Sequence, residues 1–168
     1  TPLLAVQQRE GTDNKALNQN TKKKLTKDQS KQYREVEKLA TETAISNCNT
    51  NNIEGLNLLL VIHKNANKFR REEDDVTPLF AACETGNIEC ARLMINIGAN
   101  VNQPDKNEVT PLLIACAKGH EDCVKLLIEK GANINAKSKW GHTALYLARK
   151  RDNALCVRLL EGAIAKRK

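Results

Sequence analysis

One motif returns along this chain at a constant interval. The segment TPLFAA at residues 77–82 recurs as TPLLIA at 110–115 and as TALYLA at 143–148. A second motif, Gly-Ala-Asn, keeps the same interval, which we call the repeat period, at residues 98–100 and 131–133. A unit this short cannot enclose a hydrophobic core alone, so consecutive units must stack and bury their apolar sides against one another. The period therefore predicts a repeat protein.

The residues of the repeated motifs have physical reasons to stand where they do. Thr77 can cap a first helix with its hydroxyl, and Pro78 suits the first helical position, where no N–H is needed. The Leu and Ala residues that follow recur on one helix face, and the small alanines let neighbouring helices approach closely. Gly86 separates this helix from a second one, and Gly98 can supply the left-handed residue that ends the second helix. Each unit is therefore predicted to be a helix–turn–helix.

These residues resemble the ankyrin repeat, whose length of about 33 residues equals the repeat period and which opens with Thr-Pro-Leu. The resemblance is clear over residues 77–148 and continues in degenerate form upstream. It implies an all-α fold, a solenoid of stacked helix–turn–helix units with short β-hairpin fingers, and the polar stretches 103–108 and 137–141 suit such fingers. It also implies a non-catalytic module that binds or recruits a partner protein through its concave groove.

The two motifs also set the predicted repeat boundaries. The predicted units are an irregular first repeat at 1–41, a degenerate repeat at 42–76, regular repeats at 77–109 and 110–142, and a C-terminal capping repeat at 143–168. The degenerate repeat is recognised because residues 52–55 echo residues 87–90. Within the first unit, a polar insertion over about residues 12–30 is predicted to form a long loop, followed by a helix over 31–47.

The six cysteines are predicted to be reduced thiols, and they are Cys48, Cys83, Cys90, Cys116, Cys123 and Cys156. The four at the recurrent spacing, Cys83, Cys90, Cys116 and Cys123, are predicted to be small buried side chains. The recurrent spacing of six residues between two of them is wider than that of usual zinc pairs, which leaves a metal site as the weaker alternative. No secretory signal precedes them, which favours the cytoplasm, with the nucleus as the alternative. No motif for a catalytic nucleophile, a nucleotide or a metalloenzyme occurs, so we predict no catalytic residue, no metal ligand and no cofactor.

The family resemblance also indicates where a partner would bind, namely the finger tips and the exposed ends of the first helices. Carried over by position, the predicted partner-binding residues are Glu73, Asp74, Val76, Glu84, Thr85, Lys106, Asn107, Val109, Ala117, Lys118, Lys139, Trp140, His142, Lys150 and Arg151. This set of residues is acidic at its N-terminal end and basic at its C-terminal end. A partner with the opposite arrangement of charges would therefore be steered into register. Trp140 is the only tryptophan, and two interpretations of it stay open: an interface hot spot, or a side chain folded back over its own finger.

The net charge of +7 is concentrated at the two ends of the chain, while the middle is acidic. Arg149, Lys150, Arg151 and Arg158 give the last repeat a basic character, and they allow two interpretations. A solenoid needs a polar terminal repeat, which explains these residues without any ligand. Alternatively, the basic cap binds nucleic acid or another anionic surface, although such proteins usually carry a basic stripe along one face. A purely architectural spacer is the third possibility.

No run of apolar residues is long enough for a membrane span. Because the sequence does not begin with methionine, we expect it to be a monomeric module of a larger protein.

Overall fold

The computed structural model describes residues 27–62 and 66–166 of the chain. These ranges hold eight α-helices, one short 3₁₀ helix at Ala66–Lys68 and no regular strand, which confirms the predicted all-α fold. The helices are α1 (Lys27–Asn49), α2 (Ile53–Ile62), α3 (Pro78–Thr85), α4 (Ile88–Asn96), α5 (Pro111–Lys118), α6 (Glu121–Glu129), α7 (Ala144–Lys150) and α8 (Ala154–Lys166). None of the helices within the described ranges is both long and apolar enough to cross a lipid bilayer.

The chain divides into two compact units, residues 1–37 and 38–168. The described part of the first unit, residues 27–37, is helical and mostly exposed. Residues 27–30, which the sequence predicts as the end of the polar insertion, are helical instead. The remainder of that predicted insertion lies outside the described residues.

The first helices of the regular repeats begin and end as their sequence predicts. Thr77 Oγ1 accepts a hydrogen bond from the N–H of Phe80 at 3.2 Å, and the same cap is formed by Thr110 and Thr143. Pro78 follows the first cap at a position that needs no intrahelical donor. These caps fix the start of each first helix and hence the place where the preceding loop must end.

Glycine ends the second helices of the two regular repeats. Gly98 and Gly131 have φ angles of 89° and 86°, the left-handed region that favours glycine. Beyond the first of them, the N–H of Ala99 returns to the carbonyl of Met94 at 2.9 Å and closes the helix end. Ile164 stands one repeat period after Gly131, and α8 continues past it to Lys166. The chain therefore turns sharply after α4 and α6 but not at the equivalent point of α8.

Inside the second unit the helices of the repeats form two layers. The first helices α3, α5 and α7 pack side by side, and so do the second helices α4, α6 and α8, with α2 beside α4. Ala82, Ala115 and Ala148 occupy equivalent positions on the three first helices and are all completely buried. Because alanine leaves room for a neighbouring backbone, these positions allow close packing of one repeat on the next.

Hydrogen bonds from one repeat to the end of the preceding first helix hold the stack in register. They come from side chains at positions 87, 120 and 153, which are equivalent in successive repeats. The bonds are Asn87 Nδ2 to the Cys48 carbonyl at 2.5 Å, His120 Nε2 to the Glu84 carbonyl at 3.0 Å, and Asn153 Nδ2 to the Cys116 carbonyl at 2.7 Å. Each bond satisfies a carbonyl that has no partner inside its own helix.

Candidate functional site

Three loops precede the first helices α3, α5 and α7, and we call them fingers. The first finger is residues 71–76, the second is 105–109 and the third is 138–142. In each, the N–H of the first residue donates to the carbonyl of the last, at 2.9, 3.0 and 3.0 Å respectively. In the described part of the chain the only strand-like pairing is one bridge between Lys137 and Thr143. The fingers are thus closed turns, and the β-hairpins implied by the resemblance are not formed by regular strands there.

The fingers are joined to one another through their backbones. The N–H of Lys106 donates to the carbonyl of Asp74 at 2.9 Å, and the N–H of Lys139 donates to the carbonyl of Asn107 at 2.9 Å. The two bonds are equivalent, since their donors are one repeat period apart and so are their acceptors. They fix the three fingers in one row, so the structure brings together the residues predicted at the finger tips.

Two predicted site residues at the start of this row are engaged in internal contacts. Asp74 forms a salt bridge with Arg71 at 2.5 Å and also accepts a hydrogen bond from the N–H of Val76 at 3.2 Å. The hydrogen bond from Arg71 is the main cause that lowers the pKa of Asp74 below its ordinary value. Val76 is itself buried, whereas Glu73 is exposed. Of these residues, Glu73 therefore offers a partner the most accessible charge.

The side chain of Lys106 is likewise occupied within the protein. Its ammonium group donates to the carbonyls of Glu72 and Glu73 at 2.8 and 2.5 Å. A lysine at the tip of the second finger therefore binds the end of the first finger. The sequence position of Lys106 did not predict this contact. Asn107 is exposed beside it, and Val109 is partly buried at the base of the finger.

The third finger and α7 present aromatic and basic side chains together. His142 stacks on Tyr146 with ring centroids 4.7 Å apart and planes inclined by 18°. The ammonium nitrogen of Lys150 lies 5.8 Å from the centroid of the same Tyr146 ring. We call His142, Tyr146 and Lys150 the aromatic–basic column. Trp140, two residues before His142 in the third finger, has 61% of its surface exposed. That exposure favours an accessible Trp140 over one folded back on its finger.

Tyr146 was not among the predicted site residues. Its spacing of four residues from Lys150 places these two side chains on one face of α7, and this signal could have identified it. The repeat pattern favours a core position for residue 146, because the equivalent Leu113 and Phe80 are apolar and both are buried. Tyr146 is instead 46% exposed. It lies on α7, which is the last of the three first helices in the described stack.

The remaining predicted residues lie at the ends of the first helices. Glu84 at the end of α3 and Lys118 at the end of α5 form an exposed ion pair at 3.9 Å. Thr85 donates its hydroxyl to the carbonyl of Ala81 at 3.0 Å, and Ala117 is partly exposed. Arg151 is exposed just beyond α7. The charges at the ends of α3 and α5 therefore neutralise each other, whereas the end of α7 is positively charged.

All six cysteines are free, as predicted, and all are buried, which was predicted only for Cys83, Cys90, Cys116 and Cys123. Thiols of neighbouring repeats influence one another electrostatically: Cys48 and Cys90, Cys83 and Cys123, and Cys116 and Cys156. Burial is the main cause that raises the pKa of Cys48 and Cys116 far above the ordinary value, so these thiols stay protonated and unreactive. Within the described ranges, no group of three or more possible metal ligands comes together.

A search of curated proteins finds no match to this chain. A family model described as "Ankyrin repeats (3 copies)" matches residues 42–138, which is more than half of the sequence. The matched range contains helices α2 to α6, the first two fingers, and the inter-repeat hydrogen bonds of Asn87 and His120. This chain belongs to the ankyrin repeat family.

Proposed function

We propose that this chain is a non-catalytic protein–protein interaction module that binds a partner protein along its fingers and the exposed side of its first helices. Ankyrin repeats generally serve as protein-binding modules. The observation that carries the proposal here is the continuous row of fingers, which hydrogen bonds hold in register beside the first helices. A partner meets this row without first ordering it, which lowers the entropic cost of binding.

Not all fifteen residues predicted in the sequence contribute equally to the proposed surface. Trp140, Lys139, Lys150 and Arg151 are exposed at one end of the row, and Glu73 and Asn107 are exposed further along it. Others have structural roles: Val76 is buried, and the exposed Lys106 uses its ammonium group to bind the first finger. The proposal therefore assigns direct binding mainly to exposed finger-tip and helix-end residues, with Trp140 as the principal anchor.

The absence of catalysis is part of the same proposal. Catalytic cysteines need an accessible thiolate, whereas the cysteines of this chain are buried. His120 is already used to bind the Glu84 carbonyl at the repeat boundary. We further propose a monomeric module in the cytoplasm or nucleus, which suits six unpaired thiols.

Crosslinking and pulldown from the native source test the proposal. The wild-type chain is compared with Trp140→Ala combined with Lys139→Glu, and with a control that carries Lys125→Glu on α6. Lys125 is exposed on a second helix, away from the fingers. We expect partner recovery to fall with the finger variant and to stay unchanged with the control. Equal recovery from all three proteins would refute the finger assignment.

A second candidate is binding of nucleic acid or another anionic surface through the basic last repeat. It is favoured by Lys150 and Arg151, which form no ion pair within the described ranges, while Arg149 is paired with Glu161 at 2.7 Å. Binding driven by phosphate contacts should fall steeply with increasing salt, and binding anchored on Trp140 should fall less. A titration of an RNA oligonucleotide at two ionic strengths separates the two candidates.

A further inference from the structure

The largest accessible aromatic surface of the described stack lies on its third finger and α7. Trp140 and Tyr146 are both there, with 61% and 46% of their surfaces exposed. His142 stacks on the Tyr146 ring and Lys150 lies near it, and 46% of the tyrosine remains exposed. Two exposed aromatic side chains on one finger and the helix that follows it, one of them held by stacking, offer area on which an apolar side chain can be buried at small entropic cost.

Basic residues that form no ion pair in the described part of the chain lie in the same segment as these two rings. From Lys137 to Arg151 the sequence contains five basic residues and no acidic one. In the described part of the chain, no ion pair involves Lys139, Lys150 or Arg151. At the first two helix ends the charges are balanced, as in the pair between Glu84 and Lys118. The third finger and α7 therefore combine exposed aromatic area with positive charges that form no ion pair among the described residues.

We propose that the third finger and α7 bind a short acidic segment of the partner protein, in which carboxylates flank an apolar or aromatic side chain. This inference rests on the proposed protein-binding function. The apolar side chain would pack against Trp140 and Tyr146. The flanking carboxylates would reach Lys139 on one side and Lys150 with Arg151 on the other, where Arg offers paired donors to a carboxylate.

Charge along the rest of the row favours a short segment over a long polyanion. The first finger exposes Glu72 and Glu73, and Glu84 lies at the end of α3. A nucleic acid strand that followed the row from the third finger would bring its phosphates against these carboxylates. An acidic stretch of a few residues contacts only the basic end and avoids this repulsion.

Fluorescence titration tests the inference directly, because Trp140 is the only tryptophan in the chain. The probe is a blocked octapeptide, Asp-Glu-Asp-Leu-Phe-Glu-Asp-Glu, and its charge-reversed counterpart has Lys and Arg at the acidic positions. We expect the acidic peptide to change Trp140 emission and to bind at least about tenfold more tightly than the counterpart at physiological salt. Equal or weaker binding of the acidic peptide would overturn the inference.

Variants locate the binding site. Lys150→Gln combined with Arg151→Gln, and separately Tyr146→Ala, should each weaken the acidic peptide by about tenfold or more. The matched control, Lys125→Gln combined with Lys130→Gln, removes the same charge from exposed positions in and after α6 and should leave binding unchanged. A loss of the same size in the control would show general charge attraction and overturn the site. Tighter binding of a single-stranded RNA oligonucleotide than of the acidic peptide would overturn the choice of partner class.

The native partner separates this inference from the proposed function. Capture that depends on Trp140 and Lys139 but not on Lys150 and Arg151 would overturn the acidic-segment inference and leave the binding module in place. Capture that none of these residues affects would overturn both. Loss of capture in both sets of variants would support both.

Discussion

At the scale of single residues, two glycines with similar backbones differ in what surrounds them. Gly86 and Gly98 have φ angles of 77° and 89°, but a Cβ at Gly86 would lie 2.5 Å from His120 Nδ1, while a Cβ at Gly98 would meet open space. Gly98→Ala should therefore lower the free energy of unfolding by about 1 kcal/mol from backbone strain alone. Gly86→Ala should cost roughly 1–3 kcal/mol more, because His120 must release the Glu84 carbonyl. Urea denaturation measures both, and equal losses would contradict the role given to His120.

The buried thiols predict how stability depends on pH. Burial raises the pKa of Cys48 and Cys116 well above the ordinary value of 9.0, to which they return on unfolding. Above about pH 9 the unfolded chain therefore releases these protons while the folded chain keeps them, so stability falls as pH rises, by up to roughly 1.4 kcal/mol per pH unit for each thiol. Denaturation between pH 8 and pH 10 measures the slope. Cys48→Ala combined with Cys116→Ala should flatten it, and an unchanged slope in that variant would show that other groups cause it.

Asn153 shows how far residue identity could be predicted from the sequence. Asn153 donates to the Cys116 carbonyl as His120 donates to the Glu84 carbonyl, although the two side chains differ. Periodicity identifies equivalent positions, but it does not reveal that two different side chains reach the same acceptor. The thiol burial, in contrast, was predictable because small apolar side chains recur at packed positions.

At the scale of elements, the fingers depend on side chains from neighbouring repeats. Lys106 closes the first finger by donating to the carbonyls of Glu72 and Glu73. Lys106→Met keeps the apolar stem but removes these donors, so amide hydrogen exchange in residues 71–76 should become about tenfold faster. Lys125→Met on the exposed face of α6 is the control and should leave that exchange unchanged. Unchanged exchange in the Lys106 variant would show that backbone bonds alone order the finger.

Element ends were predictable wherever a residue type enforces them. Threonine caps and left-handed glycines set the bounds of α3 and α5, and both were expected from the motifs. The prediction was less accurate for α1, which begins at Lys27 rather than at residue 31, because polar residues without periodicity carry no clear start signal. It also missed Tyr146, whose accessibility depends on which repeats flank it and not on its own repeat.

At the scale of the whole stack, each repeat is stabilised by its two neighbours. The constant repeat period was sufficient to predict this architecture, since every unit needs a neighbour to bury its apolar side. The binding surface was harder to predict, because the pairing of charges depends on contacts between repeats. Glu84 and Lys118 illustrate this, since they belong to different repeats of the sequence but lie 3.9 Å apart in the structure.

The neighbour effect can be measured at one repeat position that occurs both inside the stack and at its end. Leu126 on α6 is 3% exposed, while Leu159, at the equivalent position of α8, is only partly buried. Leu126→Ala should lower the free energy of unfolding by about 2–5 kcal/mol, and Leu159→Ala by less than half of the loss measured for Leu126→Ala, because fewer contacts disappear.

Urea denaturation gives both losses, and native-state hydrogen exchange shows where they act. Exchange should accelerate only in α7 and α8 for Leu159→Ala, but on both sides of α6 for Leu126→Ala, because a repeat contacts only its neighbours. Equal losses spread over the same amides would instead mean that the stack unfolds as a single unit.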